Sequence, residues 1–192
     1  MTAINWADGS WTNPPVAAVP DGEALVVEAA EGSDAWRTTS YGFIHDTEHA
    51  LLVDLPQEAA MEVTFRADFS QQFDQAGILL RLDGEHWIKA GTEYADGILQ
   101  AGAVVTWPLS DWSVAPVPAW QGRAVTIRAS RTGDAVTFRA RAAGEPWQFL
   151  RLAPVPASAP LQAGPLVCAP TRAGLKVRLL GWRLATPDDS LH

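Results

Sequence analysis

The chain contains one cysteine, Cys168, so no internal disulfide can form, and no Cys-x-x-Cys or Cys/His cluster marks a metal. Cys168 reads as a small buried hydrophobe. No run approaches the roughly 18 apolar residues of a membrane span. Basic residues are few: 14 Lys and Arg against 22 Asp and Glu leave a net charge of −8. No basic stripe with interleaved aromatics offsets this, so neither nucleic acid nor an anionic membrane surface is an expected partner. Met1 to Trp11 lacks the basic and apolar regions of a signal peptide, and the expected location is cytoplasmic. His45, His49 and His86 lack ligand spacing, so no metal is expected. Neither a Gly-x-Ser-x-Gly elbow nor a P-loop is found, and no cofactor is expected.

Helix signals are also scarce, because fourteen prolines and fifteen glycines interrupt almost every 3.6-residue period. What recurs is short apolar runs bounded by turn residues. Strands are expected at 24–29, 50–55, 61–69, 76–82, 86–93, 103–107, 124–129, 135–141, 148–152, 161–168 and 175–184. Turn dipeptides such as Asp83-Gly84, Asp96-Gly97 and Gly133-Asp134 lie between them. This spacing implies an all-β fold, a two-sheet antiparallel jelly-roll sandwich. Residues 1–185 are expected to form a single domain, large enough for a full core without disulfides, and 186–192 a frayed polar tail. Nine tryptophans are the strongest compositional bias. Trp fills cores, and it also offers a flat platform for the apolar face of a ligand.

The hairpin from Gln75 to Glu93 is the most informative segment. A two-residue turn at Asp83-Gly84 would set Lys89 beside Ile78. A loop of three or five residues would group Gln75, Gly77, Leu79 and Arg81 with Trp87, Lys89, Gly91 and Glu93. The second register leaves Ile78, Leu80, Leu82, Ile88 and Ala90 on one core face, so burial favours it. Gln75 then lies opposite Glu93, with Cβ atoms about 5 Å apart. Gly77 and Gly91 interrupt the polar face and mark a place where a ligand or another backbone comes close.

Several segments occur in the order found in one known family. They are Asp34-Ala35-Trp36-Arg37, Tyr41-Gly42-Phe43, Phe73-Asp74-Gln75-Ala76-Gly77, Trp87-Ile88-Lys89-Ala90-Gly91-Thr92-Glu93, Val105-Thr106 and Ser110-Asp111-Trp112-Ser113. The chain resembles a family of domains of unknown function that includes the fungal regulation-of-enolase protein, from Trp11 to about Trp182. The resemblance implies a concanavalin A-like lectin/glucanase sandwich with its ligand side on the concave sheet face. It implies that Asp34, Trp36 and Arg37 reach that face from one loop, and Thr106, Ser110, Asp111 and Trp112 from another. Ala35 departs from the family, standing where an aromatic is usual.

Three functions fit these residues. The first is a carbohydrate or polyhydroxylated-metabolite site, with Trp36, Trp87 or Trp112 stacking and Gln75, Lys89, Glu93 and Asp111 fixing hydroxyls; alternatively, Lys89 and Arg37 hold an anionic group. The second is a glycoside hydrolase-like enzyme using Glu93 with Asp111, Asp74 or Asp34, although no Glu here has the Asp two positions later that sandwich glucanases carry. The third is a regulatory domain that docks a protein partner, and a homodimer through an edge strand or sheet face is compatible with it. Beside these stands a plain reading in which Lys89 and Glu93 belong to an exposed salt-bridge lattice and both Asp-Trp loops are ordinary Asx-type turns.

Overall fold

Residues 1–191 are described in this computed structural model. In chain order the strands are β1 (Thr2–Ala3), β2 (Ser10–Trp11), β3 (Ala17–Asp21), β4 (Ala24–Glu28), β5 (Ala35–Arg37) and β6 (Ile44–Asp46). Then come β7 (His49–Leu55), β8 (Ala59–Ala67), β9 (Gln75–Arg81), β10 (Trp87–Ala95), β11 (Ile98–Thr106) and β12 (Ser110–Pro116). The last are β13 (Val125–Thr132), β14 (Ala135–Ala142), β15 (Gln148–Pro154), β16 (Leu161–Cys168) and β17 (Lys176–Ala185).

A front sheet runs β12-β11-β10-β9-β16-β7-β2, and a back sheet runs β15-β14-β13-β8-β17-β4-β3, with β1 also pairing β17. Every strand pair is antiparallel. The chain changes sheet at β1–β2, β2–β3, β7–β8, β8–β9, β12–β13, β15–β16 and β16–β17, which interleaves the layers as a jelly-roll sandwich does. Met61, Val63 and Phe65 of β8, Ile127 of β13, Phe138 of β14 and Leu179 of β17 pack against Ile78, Leu80, Ile88 and Ala90 of the front sheet.

The β9–β10 register follows the segregating alternative: Arg81 faces Trp87, Gly77 faces Gly91 and Gln75 faces Glu93. The row continues, since Gly91 also faces Gly102 of β11. Three glycines therefore sit side by side on the concave face. It is another backbone that comes close there: a Cβ on Gly77 would lie 2.6 Å from Cα of Gly91 and nearer still to the Ala90 carbonyl oxygen.

The concave face is not an open polar surface. The β5–β6 hairpin covers part of it and seals a second apolar cluster of Ala35, Trp36, Ala50, Leu52, Leu79, Trp87, Val104, Leu166 and Cys168. This is why β7 and β9 read as nearly continuous apolar runs: both of their faces are buried. Arg37 fastens the hairpin down. Its Nη1 donates to Asp46 Oδ2 (3.1 Å) and the Gly84 carbonyl (3.3 Å), and its Nη2 donates to Glu85 Oε1 (2.8 Å).

Two expectations change. Ser110–Asp111–Trp112–Ser113 is not a turn but the first half of edge strand β12, paired residue by residue with β11. Residues 186–191 are tied across the back sheet rather than frayed. Asp188 pairs with Arg128 (2.7 Å) and Arg139 (3.1 Å), and its amide donates to Ser130 Oγ (2.7 Å). His192, part of the expected tail, lies outside the described residues.

Candidate functional site

Beside the sealed half of the concave face lies a cavity of about 300 Å³. Its floor comes from alternate residues of the front sheet: Gln75 on β9, Lys89 and Glu93 on β10 and Val104 on β11. Asp34, just ahead of β5, closes one side, and Phe73, Pro170 and Thr171 enter from two loops. The walls are aromatic. Trp36 meets Tyr41 edge-on (5.6 Å between centroids), Tyr41 stacks on Phe43 (5.2 Å, 11°) and Phe43 meets His45 edge-on (4.6 Å). Trp112 contributes from β12, and a smaller hollow continues over the glycine row toward Val114.

Lys89 is buried, and its ammonium donates to Asp34 Oδ1 (2.9 Å) and Gln75 Oε1 (2.8 Å). Burial is the largest single influence and opposes this charge, but the Asp34 carboxylate together with the further pull of Cys168 and Glu93 outweighs it, and the ammonium titrates above its ordinary value. Gln75 Nε2 is spent on Asp34 Oδ1 (3.3 Å) and the Phe73 carbonyl (3.1 Å). Phe73 holds this carbonyl in place from the left-handed region, at φ 66°. Glu93 differs from its neighbours. Among the described residues its Oε1 is one of two buried side-chain polar atoms with no hydrogen-bond partner, the other being Thr92 Oγ1 on the core side. Burial pushes the Glu93 carboxyl from the ordinary 4.5 up to about 7; Lys89 counteracts this, while Asp34 and Asp96 add to it.

The strained carboxyl has a consequence for stability. Between pH 4.5 and about 7 the folded chain keeps a Glu93 proton that the unfolded chain releases, so stability falls as pH rises through this window. Above pH 7 the penalty is present in full. Glu93→Gln is therefore expected to match the parent near pH 4 and to exceed it at pH 8 by about 3 kcal/mol. Urea unfolding at the two pH values measures this, and an equal difference at both would contradict it.

The structure brings Asp34, Trp36, Gln75, Lys89, Glu93 and Trp112 together at the cavity. Four other expected site residues lie elsewhere. Trp87 is buried in the second apolar cluster and presents no face to a ligand. Arg37 is spent on the hairpin clamp, so it holds no anionic group in the cavity. Thr106 is fully buried and hydrogen-bonds Ser110 Oγ (2.8 Å), which in turn accepts from the Arg37 amide (2.9 Å). Asp111 points to the opposite side of β12 from Trp112, because neighbours on a strand alternate, and pairs with Arg151 of β15 (2.7 Å). Asp74 is fully buried against Arg172. Of the carboxyls weighed beside Glu93, only Asp34 shares the cavity. Tyr41, Phe43, His45 and Thr171 were not foreseen as site residues. Tyr41-Gly42-Phe43 carried a signal, two aromatics around a turn glycine, but nothing local showed where the hairpin would dock.

Among the described residues no group of His, Cys, Asp and Glu could hold a metal ion, and no helix is long and apolar enough to cross a membrane.

Comparison with known proteins gives the chain its relatives. The Saccharomyces cerevisiae protein named Regulation of enolase protein 1 is 34% identical over 187 residues, covering 97% of this chain and 94% of that protein. A crystal structure of a functionally unknown protein from Saccharomyces cerevisiae superposes with a TM-score of 0.89 at 33% identity, covering 96% of this chain and 99% of that one. More distant likenesses show the fold alone. A xylan beta-1,4-xylosidase from Bacillus halodurans gives a TM-score of 0.68 at 11% identity, over 85% of this chain and 33% of that one. A lectin from Griffonia simplicifolia gives 0.55 at 13% identity, over 88% and 89%. The family described as "Protein of unknown function (DUF1349)" matches residues 11–187, and the chain belongs to that family.

Proposed function

We propose that the cavity on the concave face binds a carbohydrate or a similar polyhydroxylated metabolite. One observation carries this reading: a polar floor of Asp34, Gln75, Lys89 and Glu93, with a Glu93 oxygen left unpartnered, lies under aromatic walls. A buried polar group without a partner destabilises the fold, so its presence here suits a ligand that supplies the missing bond. Ring faces of Trp36, Phe43 and Trp112 suit the C–H faces of a sugar ring, and the floor suits its hydroxyls.

A thermal-shift screen of neutral sugars and polyols tests it, run beside Trp112→Ala, which removes part of one wall at an edge strand. A ligand at 100 times its Kd adds about 2.7 kcal/mol, roughly 5–10 °C for a domain of this size. The expected result is such a shift in the parent and a much smaller one in the variant. Equal shifts in both would place binding elsewhere.

A second reading, docking of a protein, is favoured by Tyr41, Phe43 and Ile44, which are 55%, 42% and 53% exposed on and beside the hairpin. Large exposed apolar side chains are typical of protein contact sites. The name of the yeast relative makes enolase the partner to try. A protein that ignores every sugar and co-sediments with enolase would favour this reading over the first.

A further inference from the structure

Resting on the polyol reading of the cavity, we infer which ligands it accepts: an uncharged molecule of about one sugar ring that sets two of its hydroxyls across the floor. One hydroxyl donates to the Glu93 carboxylate, and the other accepts from the Lys89 ammonium.

Counting donors and acceptors on the floor leads to this pair. Lys89 has three N–H donors and spends two, on Asp34 and Gln75, which leaves one. Gln75 has no capacity left in its amide N–H groups, both of which are spent on Asp34 and Phe73. The Trp36 indole N–H is spent on the Thr39 carbonyl (3.0 Å), and the Thr171 hydroxyl donates to the Gln72 carbonyl (2.8 Å). What the floor still offers is one donor at Lys89 and acceptors at Glu93 and at Asp34 Oδ2, of which Glu93 Oε1 is the one buried without a partner; Lys89 and Glu93 lie four residues apart on the same face of β10. A hydroxyl both donates and accepts, so two hydroxyls of one ring complete both groups. A fully ionised phosphate or carboxylate only accepts, so placed at this point it cannot partner ionised Glu93.

Charge selects in the same direction. The charged and titratable groups around the cavity are Lys89 and Glu93 on β10, Asp34 ahead of β5, Tyr41 and His45 of the β5–β6 hairpin, Cys168 on β16 and Asp96 in the β10–β11 turn. Lys89 is already neutralised by Asp34 at 2.9 Å, so an anionic ligand finds no free positive charge and meets Glu93 as well. The volume of about 300 Å³ is at the small end of ligand cavities and holds a single ring rather than a chain.

Ionised Glu93 accepts the hydroxyl far better than the protonated carboxyl, because a charge-assisted bond is about twice as strong as a neutral one, so binding is linked to its proton. With half-ionisation near pH 7, the competent fraction rises about tenfold between pH 6 and pH 8, and apparent affinity rises with it.

Calorimetric titration of the full chain with D-xylose, D-glucose, D-glucose 6-phosphate and D-glucuronate at pH 6 and pH 8 tests the inference. The neutral sugars are expected to bind about tenfold more tightly at pH 8, and the two anions at least tenfold more weakly than glucose. Glu93→Gln is expected to bind weakly with no pH dependence, and His45→Gln to retain the tenfold change, which assigns the proton to Glu93. A phosphorylated or acidic sugar that binds more tightly than glucose, or an affinity equal at both pH values, would overturn the inference and leave the polyol reading standing. A titration in which none of the four binds would sink both.

Discussion

Gly91→Ala is expected to lower the stability of the fold by about 3 kcal/mol or more, or to prevent folding altogether. A Cβ on Gly91 would lie 2.9 Å from Cα of Gly77 and 2.9 Å from the carbonyl carbon of Ala76, and closer to that carbonyl's oxygen. Backbone atoms in the middle of a paired sheet have no low-energy way to retreat, because every shift breaks ladder hydrogen bonds on both sides. Gly77 and Gly102 flank Gly91 in the same row, so the close approach is a property of the sheet rather than of one residue. Gly181 supplies the control. It lies in strand β17 at a register shift, and a Cβ there would meet nothing within 4 Å. Gly181→Ala is expected to change stability by less than about 1 kcal/mol. Urea midpoints for the two variants measure the contrast. A Gly91→Ala protein as stable as Gly181→Ala would mean that the concave face does not require its glycines.

Arg172→Met has the second large expected effect. Asp74 is fully buried and accepts from the Ser70 amide (2.9 Å), the Gln71 amide (3.1 Å), Arg172 Nε (3.0 and 2.9 Å) and Arg172 Nη2 (2.7 Å). Removing the guanidinium strands a buried carboxylate, at about 3–5 kcal/mol. Asp74→Asn on the Arg172→Met background removes the charge and is expected to recover much of the loss, which separates the stranded charge from lost packing. The pair also bears on the cavity. It joins the loop that carries Phe73 to the loop that carries Pro170 and Thr171, and Thr171 Oγ1 adds a bond to the Gln72 carbonyl. Sugar-induced stabilisation is therefore expected to weaken in Arg172→Met even where the protein folds. An Arg172→Met protein with full stability would show that the amides alone hold Asp74.

The fold was legible because it rests on period-two burial. The β9–β10 register could be chosen from sequence because only one pairing puts Ile78, Leu80, Ile88 and Ala90 on a single face. With that register, Gln75, Lys89 and Glu93 necessarily share the other face. The covering of that face was not legible. Ala35-Trp36-Arg37 and Ile44-His45-Asp46 are three-residue strands, too short to show any alternation, and their docking depends on Arg37 reaching Asp46 and Glu85. A trace of it was present, since Leu79 and Trp87 are large apolar residues on the parity grouped with the polar face. Their burial turns Trp87 from a stacking platform into core. Asp111 was misplaced for a related reason. Read as a turn, Ser110-Asp111-Trp112 has no faces; as strand β12 it sends Trp112 to the cavity and Asp111 to Arg151.

A crystal structure of the protein soaked in D-xylose at pH 8 would test the proposed polyol site around Lys89 and Glu93 without intermediate inference. One sugar ring is expected in the cavity of about 300 Å³, with hydroxyls within hydrogen-bond distance of Lys89 Nζ and a Glu93 carboxylate oxygen and a ring face against an aromatic wall. Sugar bound only elsewhere on the surface, or a cavity holding no sugar at saturating xylose, would contradict the proposed site.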